Sequence, residues 1–203
     1  MIKIIDYKAG NAPSVMCAVR HLGHQAAFAR SADDLTDVSH IILPGVGSAR
    51  ATMDSLVELD LLKTLETAVR VRKIPFLGIC VGMQILFDHS EEEDTSCLGW
   101  LSGRVVKFDS EQVRVPQMGW NRVQLAQTPL CNAWSDYFYF VNSYYTKPEN
   151  PSDVWGVAEY GGPFTAAVRR ENIYATQFHT EKSGPAGLRL LDGFLRLKEG
   201  STC

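Results

Sequence analysis

Ile74-Pro75-Phe76-Leu77-Gly78-Ile79 runs straight into Cys80-Val81-Gly82-Met83-Gln84-Ile85-Leu86-Phe87, so a cysteine between two glycines stands where an apolar run changes its period. Residues 74–79 read as a short buried strand, and Met83 to Phe87 as the start of a helix. Gly78 and Gly82 permit a sharp turn without Cβ clashes, so the side chain at the apex is presented to solvent or to a pocket. The helix that follows aims its dipole and free N–H groups at the sulfur, which favours thiolate over thiol. The competing reading is a cysteine packed in the core at a strand end.

Outward from this bend, the first half alternates strands and helices, the pattern of a parallel sheet with helices on its faces. Ile2 to Ile5 is a strand. Val15, Ala18, Val19 and Leu22 follow at helical spacing, with Asn11 as the expected cap and Pro13 in the first turn. Gln25 to Ala29 and His40 to Leu43 read as the second and third strands. One long helix is expected next, because Met53, Leu56, Val57, Leu62, Leu65 and Val69 recur at three- and four-residue steps. After about Gly99 the texture changes to short β-prone runs: 103–108, 121–125, 137–141, 154–159, 164–168 and 173–178. A last helix is marked by Gly187, Leu190, Leu191, Phe194 and Leu195. There is no internal repeat and no linker composition, so residues 1–203 are expected to form one α/β domain.

With 203 residues, 45% hydrophobic and 21% charged, the chain is long enough to bury a substantial core. A net charge of -3 gives no basic surface for nucleic acid or for an anionic membrane. No apolar run approaches membrane-spanning length and the first residues do not read as a signal peptide, so a cytoplasmic protein is expected. Cys17, Cys80, Cys97, Cys131 and Cys203 show no paired spacing, and their odd number argues against a disulfide framework. His21 and His24 are closely spaced but lack a cysteine or carboxylate pair, so no metal and no other cofactor is expected.

A nucleophilic cysteine needs an imidazole to take and return its proton, and the imidazole needs a group to hold its tautomer. His179 and Glu181 supply both types, two residues apart at the end of the run 173–178, where an extended chain would place them on one face. Acyl chemistry further needs donors for an oxyanion. Pro44-Gly45-Val46-Gly47 is a tight turn after an apolar strand, and its N–H groups, with that of Val81, are the expected oxyanion hole. Strand ends at Leu43 and Ile79 are expected at the same sheet edge, where sites form.

These residues resemble the class I (triad) glutamine amidotransferases, and within them the glutaminase subunits of imidazole glycerol phosphate synthases. The resemblance spans essentially the whole chain. It is carried by Asp6-Tyr7-Lys8-Ala9-Gly10-Asn11, Pro44 to Gly47, Gly78 to Gln84, Pro116-Gln117-Met118-Gly119-Trp120-Asn121, Phe138 to Tyr144 and Gln177 to Ser183. It implies a flavodoxin-like, class I glutamine amidotransferase fold with a mainly parallel central sheet flanked by helices and a strand-rich second half. It also implies that Cys80 attacks the side-chain amide of L-glutamine, that His179 protonates the departing ammonia, and that Glu181 orients His179.

By the same resemblance, Gly47, Gln84, Glu92, Ser143 and Tyr144 hold the glutamine. Ammonia passes to a (β/α)₈-barrel cyclase partner in a heterodimer, with Asn11, Trp120, Tyr139 and Lys182 at the interface. A paralogous glutaminase serving another synthase, such as one amidating a surface sugar, is the alternative. A stand-alone cysteine hydrolase and a non-catalytic scaffold are further ones. Three residues depart from the family pattern. Gln117 and Asn142 stand where histidine is usual, and Thr180 stands where proline is usual, which is expected to loosen the His179–Glu181 geometry.

Overall fold

The computed structural model describes residues 1–8 and 11–197. Ala9 and Gly10 of the motif before the first helix, and Cys203, lie outside the described residues. The chain opens with β1 (Ile2–Ile5), α1 (Ala12–His21), β2 (Ala26–Ala29), β3 (His40–Gly45), α2 (Ala49–Glu58) and α3 (Leu62–Glu66). Then come β4 (Phe76–Cys80), α4 (Val81–Gln84), β5 (His89–Ser90), β6 (Thr95–Ser96) and β7 (Gly103–Lys107). The remainder is β8 (Gln117–Leu125), β9 (Trp134–Asn142), β10 (Tyr144–Pro148), β11 (Val154–Glu159), β12 (Pro163–Arg170), β13 (Ile173–Thr176) and α5 (Gly184–Leu195).

One sheet runs in the order β2-β1-β3-β4-β13-β12-β10-β7-β5-β6, with β11 branching from β12 to carry the β8–β9 hairpin. The five strands from β2 to β13 pair parallel, and beyond β13 the pairing is antiparallel except between β5 and β7. Every residue of β3, β4 and β13 is buried, as expected of strands covered on both faces. Among the described residues, no helix is long and apolar enough to cross a membrane.

The expected single helix over residues 53–69 is broken. Asp60 takes φ 53°, and the Leu61 N–H returns to Leu56 O at 3.0 Å, a helix-closing pattern that buries Leu61. The chain then starts α3 and ends in a wide turn over Thr67–Val71. The helix after Cys80 is also shorter than expected, a single turn closed at Ile85. A macrodipole is the sum of aligned peptide units, so one turn offers the sulfur its first N–H groups and little more.

Asn11 precedes α1 as expected but makes no side-chain capping bond to it. The expected strand over residues 173–178 ends at Thr176, and the hairpin strands extend further toward Gln117 and Asn142 than the sequence suggested. The free thiols of Cys17, Cys80, Cys97 and Cys131 agree with a chain without disulfides among the described residues. His21 is exposed at the end of α1, and His24 lies 3.4 Å from Asp192 of α5.

Candidate active site

Three strand ends meet at one edge of the sheet. Gly45 of β3 lies in register with Cys80 of β4, and Thr176 of β13 with Ile79. Cys80 sits at φ 57° and ψ -110°, a conformation that side-chain-bearing residues rarely adopt. The packing around the bend explains how it is held. A Cβ on Gly82 would meet Leu43 O at 2.1 Å, so only glycine lets the turn of α4 approach the end of β3 this closely.

The thiol points into a cavity of about 310 Å³. Val46, Gly47, Val81 and His179 line it with Cys80, and so do the expected glutamine-holding residues Gln84, Glu92, Ser143 and Tyr144. Lys182 reaches the same cavity.

The imidazole and carboxylate meet in a different way from that expected. His179 is the first residue of a tight turn over Thr180–Lys182, which folds Glu181 back so that Oε1 accepts from His179 Nδ1 at 2.9 Å. Two residues apart on an extended strand would merely share a face; the turn brings them into contact. Thr180 does not loosen the pair. His179 is anchored by its main chain as well, its N–H donating to Tyr139 O and its carbonyl accepting from Ser183 Oγ at 2.6 Å.

Burial alone would lower the basicity of the His179 ring, but its hydrogen bonds and charge interactions with Cys80 and Glu181 outweigh that and raise its pKa to about 10. Burial likewise opposes the charge on Glu181, and hydrogen bonds from His179 and Asn11 hold its carboxyl below the ordinary value. A group raised from 6.5 to about 10 contributes stability that is fully present below 6.5 and lost as pH rises through about 10. We expect the melting temperature to fall across that window. Cys80→Ala removes one of the two supports and should move the fall to lower pH; a melting profile indifferent to Cys80→Ala would mean the two groups are not coupled.

Each remaining residue has a defined contact. Gln84 donates from Nε2 to Tyr144 O at 3.0 Å and to Gln177 Oε1 at 3.1 Å, while Gln177 Nε2 approaches the Cys80 sulfur at 3.7 Å. Gln84 therefore braces Gln177, a residue that sequence reasoning missed although it is the polar residue ending a fully apolar-facing run. Tyr7 was missed as well. Its hydroxyl donates to Pro44 O at 3.0 Å, and the Val46 backbone N–H lies in reach of the same oxygen, so Tyr7 ties down the turn after β3.

Glu92 accepts from the Ala49 N–H at 3.0 Å, and burial, with the charge of Glu93, pushes its carboxyl up. Of the expected interface residues, Trp120 is 57% exposed and meets the half-buried Tyr139 edge-on at 5.9 Å. Asn11 faces inward instead, donating from Nδ2 to Glu181 Oε1 at 2.8 Å.

A strained cysteine, an imidazole beside it on one cavity, and a carboxylate behind the ring can run acyl transfer through a thioester. The family described as glutamine amidotransferase class-I matches residues 3–197. The chain belongs to that family.

Among curated class-I glutamine amidotransferases, the imidazole glycerol phosphate synthase subunit HisH of Thiobacillus denitrificans is 42% identical over 98% of this chain and 92% of its own length. That of Leptospira borgpetersenii is 42% identical over 97% of this chain and 100% of its own. Among solved structures, one described as a glutamine amidotransferase superposes with a TM-score of 0.77 at 19% identity, covering 96% of both chains. The structure of PurLQS from Thermotoga maritima gives 0.74 at 18% identity, with 96% of both chains covered.

Within this amidotransferase frame, the three departing residues share one property. Gln117 Oε1, Asn142 Oδ1 and Thr180 Oγ1 are each buried without a hydrogen-bond partner. Gln117 and Asn142 are also direct cross-strand neighbours.

Proposed function

We propose that the chain is the glutaminase subunit of an imidazole glycerol phosphate synthase, residues 1–203 constituting one amidotransferase domain in the cytoplasm. Cys80 attacks the side-chain carbonyl of L-glutamine, and the N–H groups of Val81 and of Val46, once the latter turns from the Tyr7 hydroxyl, receive the developing oxyanion. His179 gives its proton to the departing ammonia, leaving a glutamyl thioester on Cys80. Water, deprotonated by His179, then releases glutamate. Glu181 keeps the ring in the tautomer that serves both steps. Gly47, Gln84, Glu92, Ser143 and Tyr144 hold the substrate, and the half-buried Glu92 carboxylate suits its ammonium group. The observation that carries this reading is that Cys80, at its strained bend, and the Glu181-bound ring of His179 line one cavity.

Free ammonia is protonated in bulk water, which favours direct transfer to the partner, a (β/α)₈-barrel cyclase bound in a heterodimer. Met118, Trp120 and Tyr137 are exposed on the β8–β9 hairpin and supply the apolar anchors such docking needs. Trp120→Ala should weaken association by roughly 30-fold or more, the equivalent of about 2 kcal/mol for a central aromatic anchor. Titration calorimetry with the cyclase reads this, and unchanged affinity would remove Trp120 from the interface.

The function itself is tested by adding the purified cyclase and following glutamine-dependent formation of imidazole glycerol phosphate. The buried amides of Gln117 and Asn142, where relatives usually carry histidine, favour a second reading, a glutaminase for another synthase such as a sugar-amidating one. Failure to support the cyclase, together with activation by such a synthase, would select it.

A further inference from the structure

Glu181 Oε1 accepts two hydrogen bonds, from His179 Nδ1 at 2.9 Å and from Asn11 Nδ2 at 2.8 Å. Oε2 is buried with no partner, and the side chain is 1% exposed. The orientation of this carboxylate is therefore set at one oxygen, where ring and amide converge. Asn11 is 170 residues away in sequence, just ahead of α1. Asparagine is among the preferred helix caps, yet Asn11 makes no capping bond, and its side chain is turned so that Nδ2 reaches Glu181.

We propose that Asn11 is a positioning residue of the glutaminase triad, fixing Glu181 Oε1 against His179 Nδ1 and keeping the carboxylate ionised. The proposal rests on the reading of Cys80, His179 and Glu181 as a catalytic unit. A hydrogen bond to the charged form of an acid favours that form, so losing the Asn11 amide makes Glu181 easier to protonate. An aspartate in its place adds a like charge, with the same sign of effect and a larger size. The other titratable or charged groups around Glu181 are Cys17 and His21 of α1, which line a groove with it, Lys182 beside it in the turn, and Cys80 behind the ring.

The test follows the rate of Cys80 alkylation against pH in the full chain. One reagent is iodoacetamide; the other is a chloroketone analogue of glutamine, from which the thiolate displaces chloride. Modification is assigned to Cys80 by peptide mass spectrometry, and folding is checked by thermal melting. In Asn11→Ala the acid-side midpoint should rise by roughly 0.5–1 pH unit, and in Asn11→Asp by more. Asn11→Gln, which retains an amide, should lie nearer the parent, and His21→Asn should leave the midpoint in place.

Equal midpoints in the parent, Asn11→Ala and Asn11→Asp would overturn the assignment, since a residue serving only helix stability or partner docking moves no midpoint. Failure of the chloroketone to label Cys80 in the parent would instead count against the glutaminase reading. The iodoacetamide midpoints would still decide the role of Asn11.

Discussion

Cys80→Ala should lower glutamine hydrolysis by roughly four orders of magnitude or more while the synthase, supplied with ammonium salts, keeps its full rate. The asymmetry follows from where the sulfur stands. It is the group in contact with the His179 ring at the bend, and without it neither a thioester nor an alternative acceptor for the glutamyl group exists. Alanine keeps a Cβ at φ 57°, so the substitution neither relieves nor adds backbone strain, and the exposed face of the hairpin is untouched.

A companion variant separates chemistry from strain. Cys80→Gly should be equally inactive but more stable than Cys80→Ala by about 1–2 kcal/mol, because glycine occupies that backbone region without penalty. Parallel assays with glutamine and with ammonium, plus thermal melts of both variants, give the answer. An equal fall in the two reactions would make Cys80 a structural residue.

Gly82→Ala is expected to be among the most damaging single-methyl additions at the described glycines. Its Cβ would lie 2.1 Å from Leu43 O and 3.1 Å from Leu43 C, and both are main-chain atoms of a buried strand. Neither side can yield by a rotamer change, so β3 and α4 must separate. Overpacking of this kind costs about 3 kcal/mol or more. The same separation carries Val81 away from the turn at Val46 and Gly47, and misplacement by about 1 Å at a reacting centre costs on the order of 100-fold in rate. Gly23→Ala provides the contrast. Gly23 has a positive φ, 82°, but nothing lies within 4 Å of its Cβ position. It should cost only about 1–2 kcal/mol of left-handed strain and leave glutaminase activity unchanged. Activity preserved in Gly82→Ala would show that the close approach of α4 to β3 is not required.

The parts of this fold that were legible in the sequence are those governed by local pattern. The runs at Ile2–Ile5, His40–Gly45 and Phe76–Cys80 are apolar because both faces of the sheet are covered, and such runs announce themselves. The glycine-flanked cysteine and the pair His179 and Glu181 stood out as candidates for the same reason, and the structure brings Cys80 and His179 to one cavity.

The break at Asp60 was not legible, because apolar spacing continues in helical phase across it and only the closing bond from Leu61 to Leu56 ends the helix. The turn that folds Glu181 onto His179 was hidden too, since it depends on Ser183 and Tyr139 bonding the His179 main chain. Long-range side-chain contacts were least accessible. Nothing near Asn11 announces a carboxylate 170 residues away, and nothing near Gln177 announces the sulfur 97 residues before it.

The β8–β9 hairpin pairs with β11 at Val123, Gln124 and Leu125, near its far end. Its other end overhangs the site, where Tyr139 O receives the His179 N–H and Val141 O receives the Cys80 thiol at 3.9 Å. Trp120 stands directly across from Tyr139 on this overhang. The ribbon is thus held at both ends, by β11 at one and by the site at the other, and a load applied to the tryptophan is delivered to carbonyls that hold the His179 main chain and the Cys80 thiol.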